Sequence, residues 1–264
     1  MTDDAWFGVT PEPVAIKIAQ HTSAHYLSVP SLRLPTLDSA TSLPPSSPSH
    51  SPHESILIDA FAGAGGNTIA FALQSSFNRI IAIERSLSVL ACAKHNAHVV
   101  YGVAEDRIEW VLGDCFIEVP RIQRAIKDRE REGETVGRER AKVVVFASPP
   151  WGGVGYQGDG GVFDLWRMKP YGLGSLCSGM WVGREDSDGE GKRREEESRD
   201  ENGKKGVMGG VVLYLPRTSD LRQIAGLITT NEKGEGWERV MVVHYCMKGA
   251  SKVSEQWLHG ELKW

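Results

Sequence analysis

The sequence predicts an α/β protein built on a Rossmann-like, doubly wound, mostly parallel sheet, and three observations lead there. Six short runs rich in Val and Ile, at 55–60, 79–83, 107–112, 142–147, 211–215 and 240–246, are bounded by turn residues, as buried parallel strands are. Between them, 68–76, 87–99 and 220–228 place apolar residues at helical spacing, for example Val89, Leu90, Ala93 and Ala97, the stripe of a helix packed on one side. The first run leads directly into a glycine cluster and a helix. Such alternation puts ligands at the carboxyl ends of the strands.

Each element follows from its residues. The six β runs read as parallel strands, and Ser219 and Asp220 carry the short oxygen-bearing side chains that cap the start of the last helix. Three low-complexity stretches, 31–53, 121–141 and 178–208, interrupt a single expected domain over 1–264. The first contains a run of serine and proline that breaks helix and strand alike. The second is a dense mix of both charges whose spacing permits a solvated helix. Within the third, 184–205 holds seven basic and nine acidic residues and nothing hydrophobic, too little apolar surface to offset the entropy of ordering it.

Composition narrows the function. The chain has 264 residues, 41% hydrophobic and 24% charged, with a formal net charge of −4, so any contact with a nucleic acid is local rather than written in the overall charge. Cys92, Cys115, Cys177 and Cys246 form no CxxC pair, which argues against zinc and against a disulfide framework. No bound metal is expected. Residues 1–8 include Asp3 and Asp4 and lack a secretory pattern, and no apolar run approaches the roughly 20 residues that span a bilayer. The expectation is a soluble protein of nucleus or cytosol.

The residues with chemistry gather at one sheet edge. After the first strand comes Asp59-Ala60-Phe61-Ala62-Gly63-Ala64-Gly65-Gly66-Asn67, whose glycines permit a tight turn and close approach to a ligand ahead of a helix N-terminus. No Gly-Lys-Ser/Thr follows and the spacing is not GxGxxG, so this is neither a P-loop nor a dinucleotide fingerprint. Asp59 ends strand one, Glu84 ends strand two and Asp114 follows strand three. An acid at the tip of strand two suits both ribose hydroxyls of a cofactor. Asp114 suits an adenine amino group, and Asp59 suits a cationic end, directly or through water.

After the fourth strand comes Ser148-Pro149-Pro150-Trp151-Gly152-Gly153. Two prolines lock φ and hold Pro149 extended, so the loop is rigid and presents its carbonyls. A hydroxyl and a fixed carbonyl that accept the hydrogens of an aromatic amine raise electron density on its nitrogen and aim the lone pair, with no strong base required. Trp151 adds a flat face for a purine, and a cationic base gains a further attraction.

These residues resemble the trimethylguanosine synthase family of class I methyltransferases. Beside the Ser-Pro-Pro-Trp loop, Trp6-Phe7-Gly8-Val9-Thr10-Pro11-Glu12 is similar to that family's opening segment, and 59–71 to its glycine turn. The helix end from Ala93-Lys94-His95-Asn96-Ala97 to Tyr101-Gly102 and the trio Leu215-Pro216-Arg217 are similar as well. The resemblance implies a seven-stranded class I fold whose last strand is only faintly visible in 254–264. It implies S-adenosylmethionine as cofactor, held by Thr10, Pro11, Asp59, Phe61, Gly63, Gly65, Asn67, Glu84, Asp114 and Ser148. It implies Ser148, Pro149 and Trp151 as catalytic residues, with Trp151, Tyr156 and Arg217 on the substrate.

The implied reaction adds methyl groups to the guanine 2-amino group of the 7-methylguanosine cap of small nuclear and nucleolar RNA. The expected protein is a monomer of the nucleus or nucleolus and of the cytoplasm. Two departures stand out, since Glu84-Arg85-Ser86 replaces Asp-x-Asp-Pro and Val154-Gly155-Tyr156 replaces Pro-x-Tyr. Alternatives stay open at this stage: an amine methyltransferase for another base or for glutamine, and a homologue that binds cofactor without turnover.

Overall fold

The computed structural model describes residues 9–27, 53–132, 139–151, 162–180, 209–216, 218–228, 236–246 and 254–263. In chain order these form α1 (Glu12–Leu27), β1 (His53–Asp59), α2 (Gly66–Gln74), β2 (Arg79–Glu84), α3 (Leu87–His95), β3 (Glu109–Leu112), α4 (Cys115–Arg131), β4 (Glu139–Ala147), α5 (Leu173–Gly179), β5 (Gly209–Leu215), α6 (Leu221–Ala225), β6 (Gly236–Cys246) and β7 (Ser254–Lys263). Among the described residues they make one sheet of order β3-β2-β1-β4-β5-β7-β6. β1 to β5 pair in parallel.

Two hydrophobic layers sandwich that sheet, and the strand period of two assigns side chains to them. Ile56, Ile58, Ile81, Ile83, Val143, Val145, Val211 and Leu213 face one layer, which Val119, Ile122 and Ile126 of α4 and Leu173 and Leu176 of α5 complete. The alternate residues Leu57, Ile80, Ala82, Val144, Phe146, Val212 and Tyr214 face the other, against Val14, Ile18 and Ala19 of α1 and Ile69, Ala70 and Phe71 of α2. Burial on both faces explains why these strands read as unbroken apolar runs.

Four expectations are corrected. The sixth run is antiparallel to β7, and β7 is antiparallel to β5, because only residues 247–253 join β6 to β7 and a parallel crossover needs about a dozen residues or more. The charged stretch 121–141 is largely regular structure. Residues 121–131 continue α4, burying Ile122 and Ile126 one turn apart, and 139–141 open β4. His53 belongs to β1, and Ser178 and Gly179 end α5 with Met180 fully buried behind them, so the first and third low-complexity stretches are shorter than expected. Finally, α3 stops at His95 and passes into a π turn at Asn96–Val100, where a continuous helix was expected.

Of the two residues expected to cap the last helix, Asp220 does so, whereas the Ser219 hydroxyl turns back to donate to Pro216 O. The side chains of Ser86, Asp114 and Asp220 each accept a backbone N–H at the start of α3, α4 and α6. The stretches 28–52, 133–138 and 181–208, outside the described residues, lead into the N-terminal ends of β1, β4 and β5. The opposite, carboxyl ends carry the candidate site.

Candidate active site

Backbone bonds between neighbouring strand tips build the floor of the site. Ala60 N donates to Phe146 O, Ala62 N to Ile83 O and Gly113 N to Glu84 O, so the turns after β1 and β3 are fixed against β4 and β2. Gly63 and Gly65 have φ of 52° and 93°, a region open to glycine and strained for other residues. A Cβ on Gly65 would also lie 3.3 Å from the Ala93 side chain of α3. The turn therefore depends on glycine for its conformation and for its closeness to the next helix.

The three acids arrive at one edge, and each is also part of the frame. Asp59 is fully buried; its Oδ1 accepts Phe61 N at 3.2 Å and its Oδ2 accepts the Thr68 hydroxyl at 2.6 Å. Burial pushes its carboxyl up to about 6, the two hydrogen bonds oppose that rise, and the Glu84 carboxylate adds to it. Glu84 Oε2 accepts Gly63 N at 3.1 Å and Oε1 accepts Ser86 N at 2.8 Å. Asp114 Oδ1 accepts Phe116 N at 2.8 Å as the cap of α4. A carboxylate has about four acceptor positions, so half-buried Glu84 and Asp114 keep capacity for a ligand, while fully buried Asp59 acts on the site through its charge.

Asn67 and Thr10 meet on the same floor. Asn67 Nδ2 donates to Thr10 Oγ1 at 2.9 Å, which seats the segment before α1 on the start of α2, with half-buried Pro11 next in line. Asn67 Oδ1 is buried with no hydrogen-bond partner, a costly state unless a ligand donor meets it. That orphaned acceptor, the glycine turn and the row of carboxylates fit an adenosine cofactor with a cationic amino-acid end. Phe61 was expected beside the cofactor, but its aromatic neighbours Tyr171 and Phe116 were not. Phe61 lies 6.0 Å and Phe116 4.7 Å, centroid to centroid, from Tyr171. Phe116 directly follows the cap residues of α4, a signal available in the sequence, whereas Tyr171 sits in a stretch with no periodicity.

At the end of β4, Ser148 is half-buried, Pro149 buried and Trp151 half-buried. The Trp151 indole N–H donates to Tyr214 O at 3.2 Å, its ring stands 5.3 Å from the Tyr214 ring, and it packs against both core layers. Tyr156 and Arg217 lie outside the described residues. Burial pushes the Cys115 and Cys177 thiols up to about 12, so neither is a thiolate near neutral pH. No group of three His, Cys, Asp or Glu that could hold a metal occurs among the described residues.

Over residues 54–259 the chain matches the model of a family described as RNA cap guanine-N2 methyltransferase. The chain belongs to that family. Its chemistry uses S-adenosylmethionine, the cofactor that the floor of the site fits. The trimethylguanosine synthase of Schizosaccharomyces pombe is 28% identical over 253 residues, covering 93% of this chain and 77% of that protein. The trimethylguanosine synthase of Saccharomyces cerevisiae is 27% identical over 226 residues, covering 85% of this chain and 50% of that one. The chain thus spans about three quarters of the first and half of the second. Among solved structures, M. jannaschii TYW2 in complex with AdoMet is 16% identical with a TM-score of 0.38, covering 79% of this chain and 68% of that one.

Proposed function

We propose that this member of the cap methyltransferase family acts on the 7-methylguanosine cap of small nuclear and nucleolar RNA, methylating the guanine 2-amino group to give the 2,2,7-trimethylguanosine cap. We place it as a monomer in the nucleus and nucleolus. The observation that carries the reading is Trp151, held at the tip of β4 by its indole N–H on Tyr214 O, directly after Ser148 and Pro149 and on the same sheet edge as the three acids.

S-adenosylmethionine bound there would supply an electrophilic methyl group on a sulfonium, each transfer breaking the S–CH3 bond to leave the neutral thioether S-adenosylhomocysteine while the methylated amine loses one proton to solvent. The chain's own residues do the rest. Glu84 offers acceptor positions to ribose hydroxyls and Asp114 to an adenine amine, and Asp59 sets a negative potential beneath the turn. Ser148 and the Pro149 carbonyl accept the hydrogens of the guanine 2-amino group, turning its lone pair toward the methyl. Trp151 supports the base from its face, and a 7-methylated base, being a cation, gains about 0.5–2 kcal/mol over a neutral one. Tyr156 and Arg217 complete the substrate set, with Arg217 on a cap phosphate.

The test is a methylation assay on 7-methylguanosine-capped, guanosine-capped and uncapped RNA, with products identified by mass. One or two added methyl groups on the 7-methylated cap alone is the expected result. Equal turnover on unmethylated and 7-methylated caps would remove the cap assignment.

A further inference from the structure

Beyond the cap itself, an exposed tryptophan has no role in the chemistry above. Trp166 is 52% exposed, while its neighbours Leu165 and Met168 are 0% and 3% exposed in the core. A 3-10 turn at Leu165–Arg167 repeats every three residues, which turns 165 and 168 inward and 166 and 167 outward. The ring is laid on the first turn of α5: a Cβ added to Gly174 would lie 2.9 Å from its six-membered ring. Among the described residues no other aromatic ring touches it.

The turn is tightly held and belongs to the site edge. Phe163 N donates to Thr218 O at 2.6 Å, and Asp220 N donates back to Phe163 O at 3.0 Å. Leu165 N donates to Gln223 Oε1, and Asp164 Oδ1 accepts Trp166 N and Gln223 Nε2. These bonds fasten the turn just past the carboxyl end of β5, the strand whose Tyr214 O anchors Trp151. Cations lie on the same turn and at the start of α6, to which the turn is bonded. Arg167 and Arg222 have side chains 88% and 84% exposed, steered by Asp164 and Asp220, and Lys169 is exposed.

We infer that Trp166 is a stacking platform for a nucleotide of the RNA body following the cap, with Arg167, Lys169 and Arg222 beside its phosphates. The inference rests on the cap reading and extends it to the rest of the substrate. A flat aromatic face bordered by cations is how proteins hold single-stranded RNA without reading its sequence: every base has a π face, and the backbone is an anion. The local excess of three cations over two carboxylates contrasts with the net charge of −4 for the whole chain.

The experiment compares two substrates, 7-methylguanosine triphosphate and a short capped oligoribonucleotide, for the parent protein, Trp166→Ala and Trp166→Phe. In the parent, KM for the oligonucleotide is expected about tenfold below that for the mononucleotide, as one base stack contributes. Trp166→Ala removes that advantage while leaving kcat and the mononucleotide KM unchanged, and Trp166→Phe keeps part of it. Equal KM values for the two substrates in the parent would overturn the proposal, and so would an unchanged oligonucleotide KM in Trp166→Ala, the result expected if the ring docks a protein instead. A mononucleotide KM that rises as much as the oligonucleotide KM would place Trp166 in the cap pocket and overturn it equally. Absence of turnover on both substrates in the parent overturns the cap reading, and this proposal with it.

Discussion

Glu84 ends one of the two strands that flank β1 and Trp151 follows the other, and the chain holds them by different means. Glu84 is fixed through its functional atoms, since the oxygens that would meet a ribose already close the glycine turn on Gly63 N and Ser86 N. Trp151 is fixed at its edge, by an indole N–H on Tyr214 O, so its anchoring bond does not use the π face. The cofactor half therefore ties folding to the very oxygens a ligand would meet, whereas the base half is held by an edge bond and by packing against both core layers, neither of which involves the cofactor's partners. Damage to the first should register in stability and cofactor affinity together. Damage to the second should register in turnover on the cap and, through lost packing, in stability, with cofactor affinity kept.

The largest effect is expected from Glu84→Ala. Losing charge-assisted hydrogen bonds costs about 1.5–3 kcal/mol, or roughly 10- to 150-fold in affinity. Calorimetry should show S-adenosylmethionine binding weakened by that factor, with a lower melting temperature because two backbone donors lose their acceptor. Unchanged affinity would break the cofactor half of the comparison. Next comes Trp151→Ala, expected to lower kcat/KM on the 7-methylated cap about 10- to 100-fold, the range of one aromatic–base stack, and to abolish preference over the unmethylated cap. Trp151→Phe should keep part of both. Cofactor affinity should stay within about twofold of the parent; a parallel loss of S-adenosylmethionine binding would show that the two halves are not separable.

A smaller effect sharpens the cofactor half. Asp59, with its carboxyl raised to about 6, is protonated in the folded protein over a window where an exposed aspartate is ionised. Because the shift is upward, its contribution to stability is fully present below the ordinary aspartate value and is lost as pH rises through about 6. Asp59→Asn should remove that loss, so that chemical denaturation shows a flatter pH dependence between about 4 and 7. A cationic cofactor favours the ionised form, so affinity in the parent should rise about tenfold between about pH 5 and 7. A flat affinity profile would show that Asp59 does not sense the cofactor.

The smallest effect is expected far from the site. Joining the ends of 184–205 by a short glycine linker removes no hydrophobic residue, and even a twofold change in loop length alters closure by only about 0.6 kcal/mol. Melting temperature and turnover should hardly move. A large fall in either would tie that stretch to one of the two halves.

Legibility in the sequence followed burial. β1, β2, β4 and β5 are covered on both faces, so their apolar runs stood out, and only their ends shifted by a few residues. α1 escaped notice because its inward stripe, Val14, Ala15, Ile18, Ala19 and Thr22, has only two large apolar side chains, spread among His, Lys and Gln. A solvated helix was legible in the charges of α4, but its start at Cys115 and its buried face, Val119, Ile122 and Ile126, were masked by that charge and by Pro120. The direction of β6 depends on a pairing made through β7, which no local pattern encodes. At the site, the three acids and the Ser-Pro-Pro-Trp loop were legible as positions after strands. Their double duty was not, because the partners of Asp59 and Glu84 are set by three-dimensional proximity. Tyr171 meets Phe61 and Phe116 from a distant stretch of chain that has no periodic signal of its own.

The stretches 28–52, 133–138 and 181–208 all rejoin the sheet at the N-terminal ends of parallel strands. Strand polarity thus gives the molecule a working rim and a growing rim. Chain added before these strands enters at the ends opposite Asp59, Glu84 and Asp114, which lie at or after the carboxyl ends of β1, β2 and β3. The same asymmetry offers a practical handle. A fluorescent or affinity module inserted between α4 and β4 would join the sheet at the N-terminal end of β4, the end opposite Asp59, Glu84 and Trp151.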